Sequence, residues 1–303
     1  MRDMDTGRRG ILQAAGLALL AGGLNCSSTQ AMEPVSRNPG KRIKLSIAAY
    51  SFRNELKAEP PQMTLHEGFI DIAVREGLDA IEPTSYYFPE PVTPEYILRL
   101  KQRAFLEGLD ISGTAIGNTF TYPPGPDRDK QLELTRTWVD HAALLGAPCI
   151  RVFAGRIQPG DDIEKARAYC IETLEVACDY AGTKGVYLAL ENHGGIVDTA
   201  DNMLPIVRAV KSPWFGVNLD GGNFTSEDPY KDLAIMAPFA VNVQVKAQIN
   251  PGGKGKVPAD LKKVMSIIKD SGYRGYVALE YEADEPALVG VPKYLAQLRE
   301  LVD

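Results

Sequence analysis

The segment "VNVQVKAQ", residues 241–248, alternates apolar and polar residues and therefore predicts a β-strand with one polar face. Its valines share one face, and Asn242, Gln244 and Lys246 share the other. A strand from a parallel sheet covered on both sides is normally apolar along its whole length. The polar face must therefore point into an environment other than a layer of covering helices, such as the interior of a barrel.

Strand-like segments of this kind alternate with helical segments along the chain. They are, in order, "LSIAAYSF", "LDAIEP", "LDISGTAI", "APCIRVFAG", "VYLALENH", "FGVNLDGG", "AVNVQVKA" and "GYVALEYE". Eight strands alternating with helices indicate a parallel α/β sheet, and a chain with ~250 residues in such repeats is typical of a closed barrel. We therefore expect a single-domain (β/α)8 TIM barrel over residues 43–303, preceded by a polar linker at 32–42.

Helix signals between the strands support this alternation. "TLHEGFIDIAVREG" begins with Thr64 and Glu67 in capping-box spacing, which predicts a helix that starts there. "TPEYILRLKQRAFLEG" places Thr93 as the N-cap residue and Gly108 just beyond the end. Residues 228–236 are expected to form only a short helix.

The N-terminal segment "TGRRGILQAAGLALLAGGLNC" is predicted to lie outside the fold. Its arginine pair and short apolar stretch resemble a twin-arginine export signal, and the stretch is shorter than the ~20 residues of a membrane span. We expect residues 1–31 to be a signal peptide with cleavage after Ala31, and the protein to be periplasmic or secreted. A lipoprotein signal that uses Cys26 is the less favoured alternative.

Composition narrows the function classes. The chain is 45% hydrophobic and 24% charged with a net charge of −6, and its pI is about 5.3. No cluster of Lys and Arg appears in the body of the chain, so a nucleic-acid partner is not expected. Cys149, Cys170 and Cys178 form no CxxC pattern, so neither a disulfide framework nor a zinc knuckle is indicated.

Acidic residues occur at corresponding places in three of the strands. Glu191, Asp220 and Glu280 each lie on the polar face near the carboxyl end of a strand, where TIM barrels carry their chemistry. Gln244 lies on the polar face of the intervening strand. Carboxylates gathered in one cavity repel each other, and a divalent cation removes that conflict. Oxygen ligands favour Mn²⁺ or Mg²⁺, and the chain has only three histidines for a zinc site.

Over residues 43–303 the chain resembles the xylose isomerase-like TIM-barrel superfamily, in particular its sugar phosphate isomerase/epimerase branch. The resemblance lies in "LALENHGG", "GVNLDGGNF", "VNVQVK" and "YVALEYE", in the family's order. It implies that Glu191, Asp220 and Glu280 bind a metal ion. The family usually has His where this chain has Gln244. Gln244 is thus open to three interpretations: a ligand through its oxygen, a residue that holds a metal-bound water or the substrate, or the sign of a lost metal site.

The resemblance implies a metal-dependent isomerase or epimerase that acts on a sugar through an enediolate, with Glu191 and Glu280 as the acid/base pair. Export argues for a non-phosphorylated sugar or keto sugar. A lyase or dehydratase acting on a keto sugar or 3-keto-glycoside, and a non-catalytic sugar-binding barrel, are the alternatives. The expected partner is a small sugar. The protein is not expected to have a stable membrane span, and it is open whether it forms a homo-oligomer.

Further residues have candidate roles at the site. Lys246 would neutralise enediolate charge, or else reach solvent at the rim. His193 would bind a substrate hydroxyl or cap a loop, and Tyr50 would stack on the sugar. Glu82 and Arg151 would bind substrate or pair with each other inside the barrel. "NPGGKGKVP", after the seventh strand, is a candidate lid.

Overall fold

The computed structural model describes residues 31–38 and 42–302, so the predicted signal in residues 1–31, except for Ala31, lies outside the described residues, together with the alternative lipidation site. Within the described part, strands and helices alternate as expected. The strands are β1 (Ile43–Ala48), β2 (Ala80–Glu82), β3 (Asp110–Ile111), β4 (Thr114–Ala115), β5 (Cys149–Val152), β6 (Tyr187–Glu191), β7 (Phe215–Asp220), β8 (Ala240–Val245), β9 (Gln248–Ile249), β10 (Val257–Pro258) and β11 (Gly275–Leu279).

The main sheet is a nearly closed parallel barrel. Its strand order is β3-β2-β1-β11-β8-β7-β6-β5-β4. β3 and β4 are two halves of the predicted third strand, and they pair with opposite edges of the sheet. Ser112 and Gly113 connect the halves, so the chain itself joins the two edges, and a bridge between Thr84 and Ala115 adds a further contact there. The (β/α)8 prediction is therefore confirmed, with one strand divided.

Helices surround the barrel. They are α1 (Arg53–Leu56), α2 (Phe69–Arg75), α3 (Pro94–Leu106), α4 (Pro126–Leu145), α5 (Ile163–Thr183), α6 (Ala200–Ala209), α7 (Pro229–Met236), α8 (Leu261–Asp270) and α9 (Ala287–Val302). The predicted cap of α3 is confirmed, because Thr93 Oγ1 accepts a hydrogen bond of 3.2 Å from the amide of Tyr96. The short helix expected at residues 228–236 is also present, as α7.

The predicted start of α2 is wrong. Thr64 Oγ1 does accept a hydrogen bond of 3.0 Å from the amide of Glu67, as a capping box requires. However, Gly68 has φ of 86°, a left-handed conformation that interrupts any helix beginning at Thr64. The side chain of Asp71 accepts a hydrogen bond of 2.8 Å from the Gly68 amide, and α2 begins only at Phe69.

The alternation read from β8 is borne out by the packing. Val243 and Val245 belong to the buried apolar core, whereas Asn242 and Gln244 are buried and hydrogen-bonded to Glu82 of β2, across the barrel interior. The polar face therefore does point inwards. Cys149, Cys170 and Cys178 are buried and free, as their lack of a disulfide pattern predicts.

Part of the predicted linker packs against the barrel. The amide of Val35 donates a hydrogen bond of 2.9 Å to Pro238 O, and Arg37 Nη2 donates one of 2.6 Å to Ala240 O. Ala240 begins β8, so this contact lies at the amino end of the strands, opposite the acidic residues. Among the described helices, none has the length and apolar character needed to cross a membrane.

Candidate active site

Three acidic side chains converge at the carboxyl end of the barrel, as expected. β6 ends at Glu191, β7 ends at Asp220, and Glu280 follows β11 directly. Each offers a carboxylate oxygen, and these oxygens lie within 4.8 Å of one another. All three residues are buried. Parallel strands in register bring the three acids to one place although they are far apart in sequence.

Glu191 and Asp220 both accept hydrogen bonds, but one of their carboxylate oxygens accepts none. Glu191 Oε2 lies 2.9 Å from Arg151 Nε, and Glu191 Oε1 accepts a hydrogen bond of 2.7 Å from Asn223 Nδ2. Asp220 Oδ1 accepts one of 2.8 Å from the amide of Gly222. Asp220 Oδ2 is buried without a hydrogen-bond partner, a costly state for a charged oxygen.

Lys246 reaches into this cluster from the inward face of β8. Its Nζ atom lies 2.9 Å from Glu280 Oε2 and 3.5 Å from Asp220 Oδ2, and it also contacts Glu282 Oε1. Only 8% of the lysine side chain is exposed. Lys246 is therefore an internal counter-charge of the acids and not a rim lysine that extends into solvent.

Burial and crowding shift the pKa values of these acids. Burial, with the nearby charges of Asp220 and Glu280, raises the pKa of Glu191 to about 8 despite the adjacent Arg151. Burial, with the charge of Glu280, raises the pKa of Asp220 to about 7 despite Lys246. Burial disfavours the charged form of Lys246, but the surrounding carboxylates outweigh it and hold the pKa of this lysine well above its ordinary value.

The donor set fits a divalent cation. Carboxylate oxygens of Glu191, Asp220 and Glu280 are close enough to share one ion, and Asp220 Oδ2 accepts no hydrogen bond, with Lys246 Nζ 3.5 Å away. A divalent cation would favour the charged forms of the acids whose pKa values are now raised. These hard oxygen donors suit Mg²⁺ or Mn²⁺.

Gln244 is held in a layer of amides. Its Nε2 atom donates a hydrogen bond of 2.5 Å to Glu82 Oε1, and its Oε1 atom accepts one of 2.7 Å from Asn218 Nδ2. Asn242 Nδ2 donates to Glu82 Oε2 at 2.9 Å and to Asn218 Oδ1 at 2.8 Å. Both ends of the Gln244 amide are thus engaged inside the barrel, so the ligand role expected for its oxygen is not formed in this arrangement.

The predicted pair between Glu82 and Arg151 is wrong. Arg151 pairs with Glu191 instead, and its Nη1 atom donates a hydrogen bond of 2.8 Å to Ile116 O. Glu82 has no solvent exposure, and burial raises its pKa to about 7. Glu82 is sealed inside the barrel and does not line the cavity above the acids, whereas Arg151 does.

A cavity of about 370 Å³ lies over the acids, and we call it the inner cavity. Six of the predicted site residues line it, namely Tyr50, Arg151, Glu191, His193, Lys246 and Glu280. Tyr86, expected with Tyr50 to stack on the sugar, also lines the inner cavity, as do four residues that the sequence did not assign to the site, namely Phe153, Asn223, Lys256 and Glu282.

The rings of Phe153, His193 and Tyr50 line part of the inner cavity. Phe153 stacks on His193, with 4.3 Å between the ring centroids. Partial burial, together with the positive charges of Lys246 and Arg151, lowers the pKa of His193, which favours the neutral imidazole. Tyr50 faces the inner cavity as expected.

For one of these unassigned residues, the sequence already indicated a side chain that faces the site. Glu282 shares the inward parity of Glu280, so the alternation of β11 already pointed to it. Asn223 and Lys256 lie in loops, where no periodicity indicates which side chain faces the site. The candidate lid, residues 250–258, includes β10, which pairs with β9 in a hairpin, and its Lys256 lines the cavity.

Comparisons with known proteins agree with this architecture. A family model described as "Xylose isomerase-like TIM barrel" matches residues 70–301. Two proteins named "Putative hydroxypyruvate isomerase" are similar to the chain. The one from Xenopus laevis is 28% identical over 264 residues, 78% of this chain and 92% of its own length. The one from Homo sapiens is 24% identical over 255 residues, 73% of this chain and 86% of its own length.

A solved structure has the same fold. The D-psicose 3-epimerase of Clostridium cellulolyticum H10, determined with D-tagatose, superposes with a TM-score of 0.67. It is 17% identical, and the match covers 86% of this chain and 99% of that one.

Proposed function

Since this chain belongs to the xylose isomerase-like TIM-barrel family, we propose that it is a divalent-metal-dependent isomerase or epimerase of a non-phosphorylated sugar or keto sugar. The observation that carries the proposal is the approach of Glu191, Asp220 and Glu280 oxygens to within 4.8 Å at the floor of a cavity. The isomerase and epimerase names of its relatives support the reaction class.

In this proposal Glu191, Asp220 and Glu280 hold Mn²⁺ or Mg²⁺. The bound cation would polarise a substrate carbonyl and its neighbouring hydroxyl, which acidifies the hydrogen on the carbon beside the carbonyl. The assignment depends on the donor set and on the buried Asp220 Oδ2 that has no hydrogen-bond partner.

The proton steps belong to Glu191 and Glu280. One carboxylate removes the proton beside the carbonyl, and the electron pair of the C–H bond moves onto the carbonyl oxygen. The other carboxyl group, in its protonated form, gives a proton to the opposite face of the same carbon as the carbonyl re-forms, which gives the epimer. Delivery of the proton to the former carbonyl carbon, with transfer of the proton of the neighbouring hydroxyl to the former carbonyl oxygen, gives the isomer instead.

Positive side chains around the two acids would stabilise the negative charge that develops on the substrate. Arg151 lies against Glu191, and Lys246 lies against Glu280, so each acid has its own cationic neighbour. Neutral His193 and the hydroxyl of Tyr50, which line the inner cavity, would hydrogen-bond the sugar hydroxyls.

The predicted export of the protein also bears on the kind of sugar on which it would act. A twin-arginine signal in residues 1–31 would export the protein already folded, to the periplasm or beyond. Sugar phosphates are mostly cytoplasmic, so an exported enzyme of this kind would act on a free sugar.

The test is exchange of the α-proton of D-fructose in D₂O, measured by NMR with Mn²⁺ present. We expect exchange in the wild-type protein, and a loss of ~10²–10⁴-fold in Glu191→Gln and in Glu280→Gln. Glu172→Gln is the matched control, because Glu172 is an exposed partner of Arg128 on α5. Exchange that persists unchanged in Glu280→Gln would contradict the acid/base assignment.

A sugar-binding barrel without catalysis is a second candidate. It is favoured by the Lys246 ammonium, which already supplies positive charge between Asp220 and Glu280. Calorimetry separates the two functions: a non-catalytic barrel would bind D-fructose in EDTA as tightly as in Mn²⁺, and it would exchange no protons in either.

A further inference from the structure

We propose that the substrate of this site is a glycosylated ketose, whose second sugar ring binds in a cavity beside the inner one. This inference rests on the proposed function, and it narrows the substrate from a sugar in general to a disaccharide or glycoside. The second cavity, which we call the outer basin, has a volume of about 550 Å³, larger than the inner cavity of about 370 Å³. The inner cavity alone lies near the lower end of the ~300–1,000 Å³ range of small-molecule sites.

The two cavities are neighbours. Phe153, His193, Asn223 and Lys256 line both of them. Asn223 also donates the hydrogen bond of 2.7 Å to Glu191 Oε1, so the shared lining extends to the acid/base pair itself. In this proposal a molecule whose reacting carbon lies beside Glu191 extends past Asn223 into the outer basin.

The lining of the outer basin suits a neutral, hydroxyl-rich group. It contains no Asp or Glu among the described residues that face it, which makes it unlike the acidic inner cavity. Amide and hydroxyl side chains can both donate and accept hydrogen bonds, as sugar hydroxyls require. These side chains are Asn118, Gln158, Asn250, Thr119, Thr225 and Tyr122.

Glycines keep the outer basin open. A Cβ atom on Gly222 would lie 2.3 Å from Gln248 O, so only glycine allows the backbone to pass this closely. Gly194 differs, because a Cβ atom there would meet nothing within 4 Å. Gly194 has φ of 59° and faces empty space that belongs to the basin. A side chain added at Gly194 would therefore occupy the volume assigned to the second ring.

A neutral ring fits the outer basin better than a phosphate. Its two cationic residues, Arg156 and Lys256, are exposed at its edge, and Lys256 already lies 3.8 Å from Glu282 Oε2. A second neighbouring cavity of about 510 Å³ shares only Tyr86 with the inner cavity, so it offers a narrower connection to the acids.

The test compares D-fructose with four glucosyl-fructoses, namely turanose, maltulose, leucrose and isomaltulose, which carry glucose on different hydroxyls. Proton exchange is measured in D₂O with Mn²⁺, and binding is measured in parallel by calorimetry. Several hydrogen bonds to the second ring should raise kcat/KM or affinity about ten- to hundredfold over D-fructose for at least one disaccharide. If no disaccharide exceeds D-fructose in either measurement, the proposal is overturned.

Substitutions in the outer basin test whether the second sugar ring binds there. Gly194→Asn should lower the ratio of disaccharide to fructose kcat/KM, because Asn tolerates a left-handed backbone and its side chain would fill the basin. Gly108→Asn is the matched control, with φ of 74° and open space at the end of α3. Tyr122→Ala should lower the same ratio, and Tyr122→Phe, which keeps the ring, should lower it less. A ratio unchanged in both Gly194→Asn and Tyr122→Ala would place the second ring elsewhere and contradict the assignment.

Fructose 6-phosphate tests whether the outer basin binds a glycosyl group or an anionic group. If it reacts faster than every disaccharide and loses that advantage in Arg156→Gln, the outer basin binds an anion and the glycosyl assignment is wrong. Exchange of D-fructose without any gain from the glucosyl group would overturn this inference and leave the proposed function standing. Absence of exchange with every sugar would count against the proposed function, and the calorimetric ratio would still decide the role of the outer basin.

Discussion

Lys246 Nζ lies 2.9 Å from Glu280 Oε2, so the ammonium group is placed among the carboxylates that we propose to bind a divalent cation. The lysine and the cation are attracted by the same negative charge. A small movement of Lys246 towards Glu282, which it already contacts, would free the carboxylates to bind the cation. The two positive charges therefore compete for one site, and removal of the lysine has opposite effects on the metal-free and metal-bound protein.

Lys246→Met should destabilise the metal-free protein and strengthen cation binding. Removal of one partner from a buried ionic cluster typically costs ~3–5 kcal/mol of unfolding free energy, because the remaining charges are left uncompensated. Mn²⁺ would supply the missing positive charge and restore much of that loss. Urea denaturation with EDTA and with Mn²⁺ measures both effects.

Lys254→Met serves as the control for this substitution. Lys254 pairs with Glu227, and both side chains are more than two-thirds exposed, at 72% and 79%. Neither stability nor Mn²⁺ affinity should change in this variant. A Lys246→Met protein as stable in EDTA as the wild type would show that the lysine is not the counter-charge of the acids.

Glu82 should make the free energy of unfolding depend on pH. Its pKa is about 7 in the folded protein against an ordinary value of 4.5, so in this window the folded chain keeps a proton that the unfolded chain has lost. The free energy of unfolding should fall as pH rises from about 4.5 to 7 and then level off, by at most ~3.5 kcal/mol for this one group. In Glu82→Gln the fall across this window should be smaller. Urea denaturation at pH 5, 6, 7 and 8 measures it, and parallel curves for wild type and variant would refute the shift.

Asn223→Ala should slow proton exchange without unfolding the protein. Asn223 Nδ2 donates a hydrogen bond of 2.7 Å to Glu191 Oε1 and so fixes the orientation of this carboxylate. Hydrogen bonds to charged groups contribute ~1.5–3 kcal/mol, so we expect a loss of at least ~10-fold in the rate of fructose exchange. Thermal denaturation should change little, because Asn223 is only half-buried in a loop.

Asn202→Ala is the matched control for Asn223→Ala. Asn202 Nδ2 donates a similar hydrogen bond of 2.9 Å to Asp198 Oδ1, but it lies on α6 away from the inner cavity. Equal losses of exchange in the two variants would mean that Asn223 acts only through general stability.

The sequence was sufficient to predict the strands and the convergence of the acids. Side chains in a strand alternate with a period of two, and parallel strands in register align their carboxyl ends. For that reason Glu191, Asp220 and Glu280 could be placed together without any structure. The same rule correctly placed Lys246 on the inward face of β8.

Contacts between long side chains could not be predicted in this way. Alternation assigns a face but not a partner, so Arg151 could have paired with Glu82 or with Glu191. The buried amides determine which pair forms, because Asn242 and Gln244 already donate hydrogen bonds to the Glu82 carboxylate. The start of α2 failed for a local reason, since the left-handed Gly68 interrupts a helix whose capping signals at Thr64 are otherwise correct.

The most direct test of the central claim is calorimetric titration of the metal-free protein with Mn²⁺, for the wild type and Asp220→Asn. Asp220 supplies the buried oxygen that has no hydrogen-bond partner, and asparagine keeps the shape but removes the charge. We expect one Mn²⁺ per wild-type chain and a loss of at least ~10-fold in affinity in Asp220→Asn. Absence of Mn²⁺ and Mg²⁺ binding in the wild type, or equal affinity in the two proteins, would contradict the central claim.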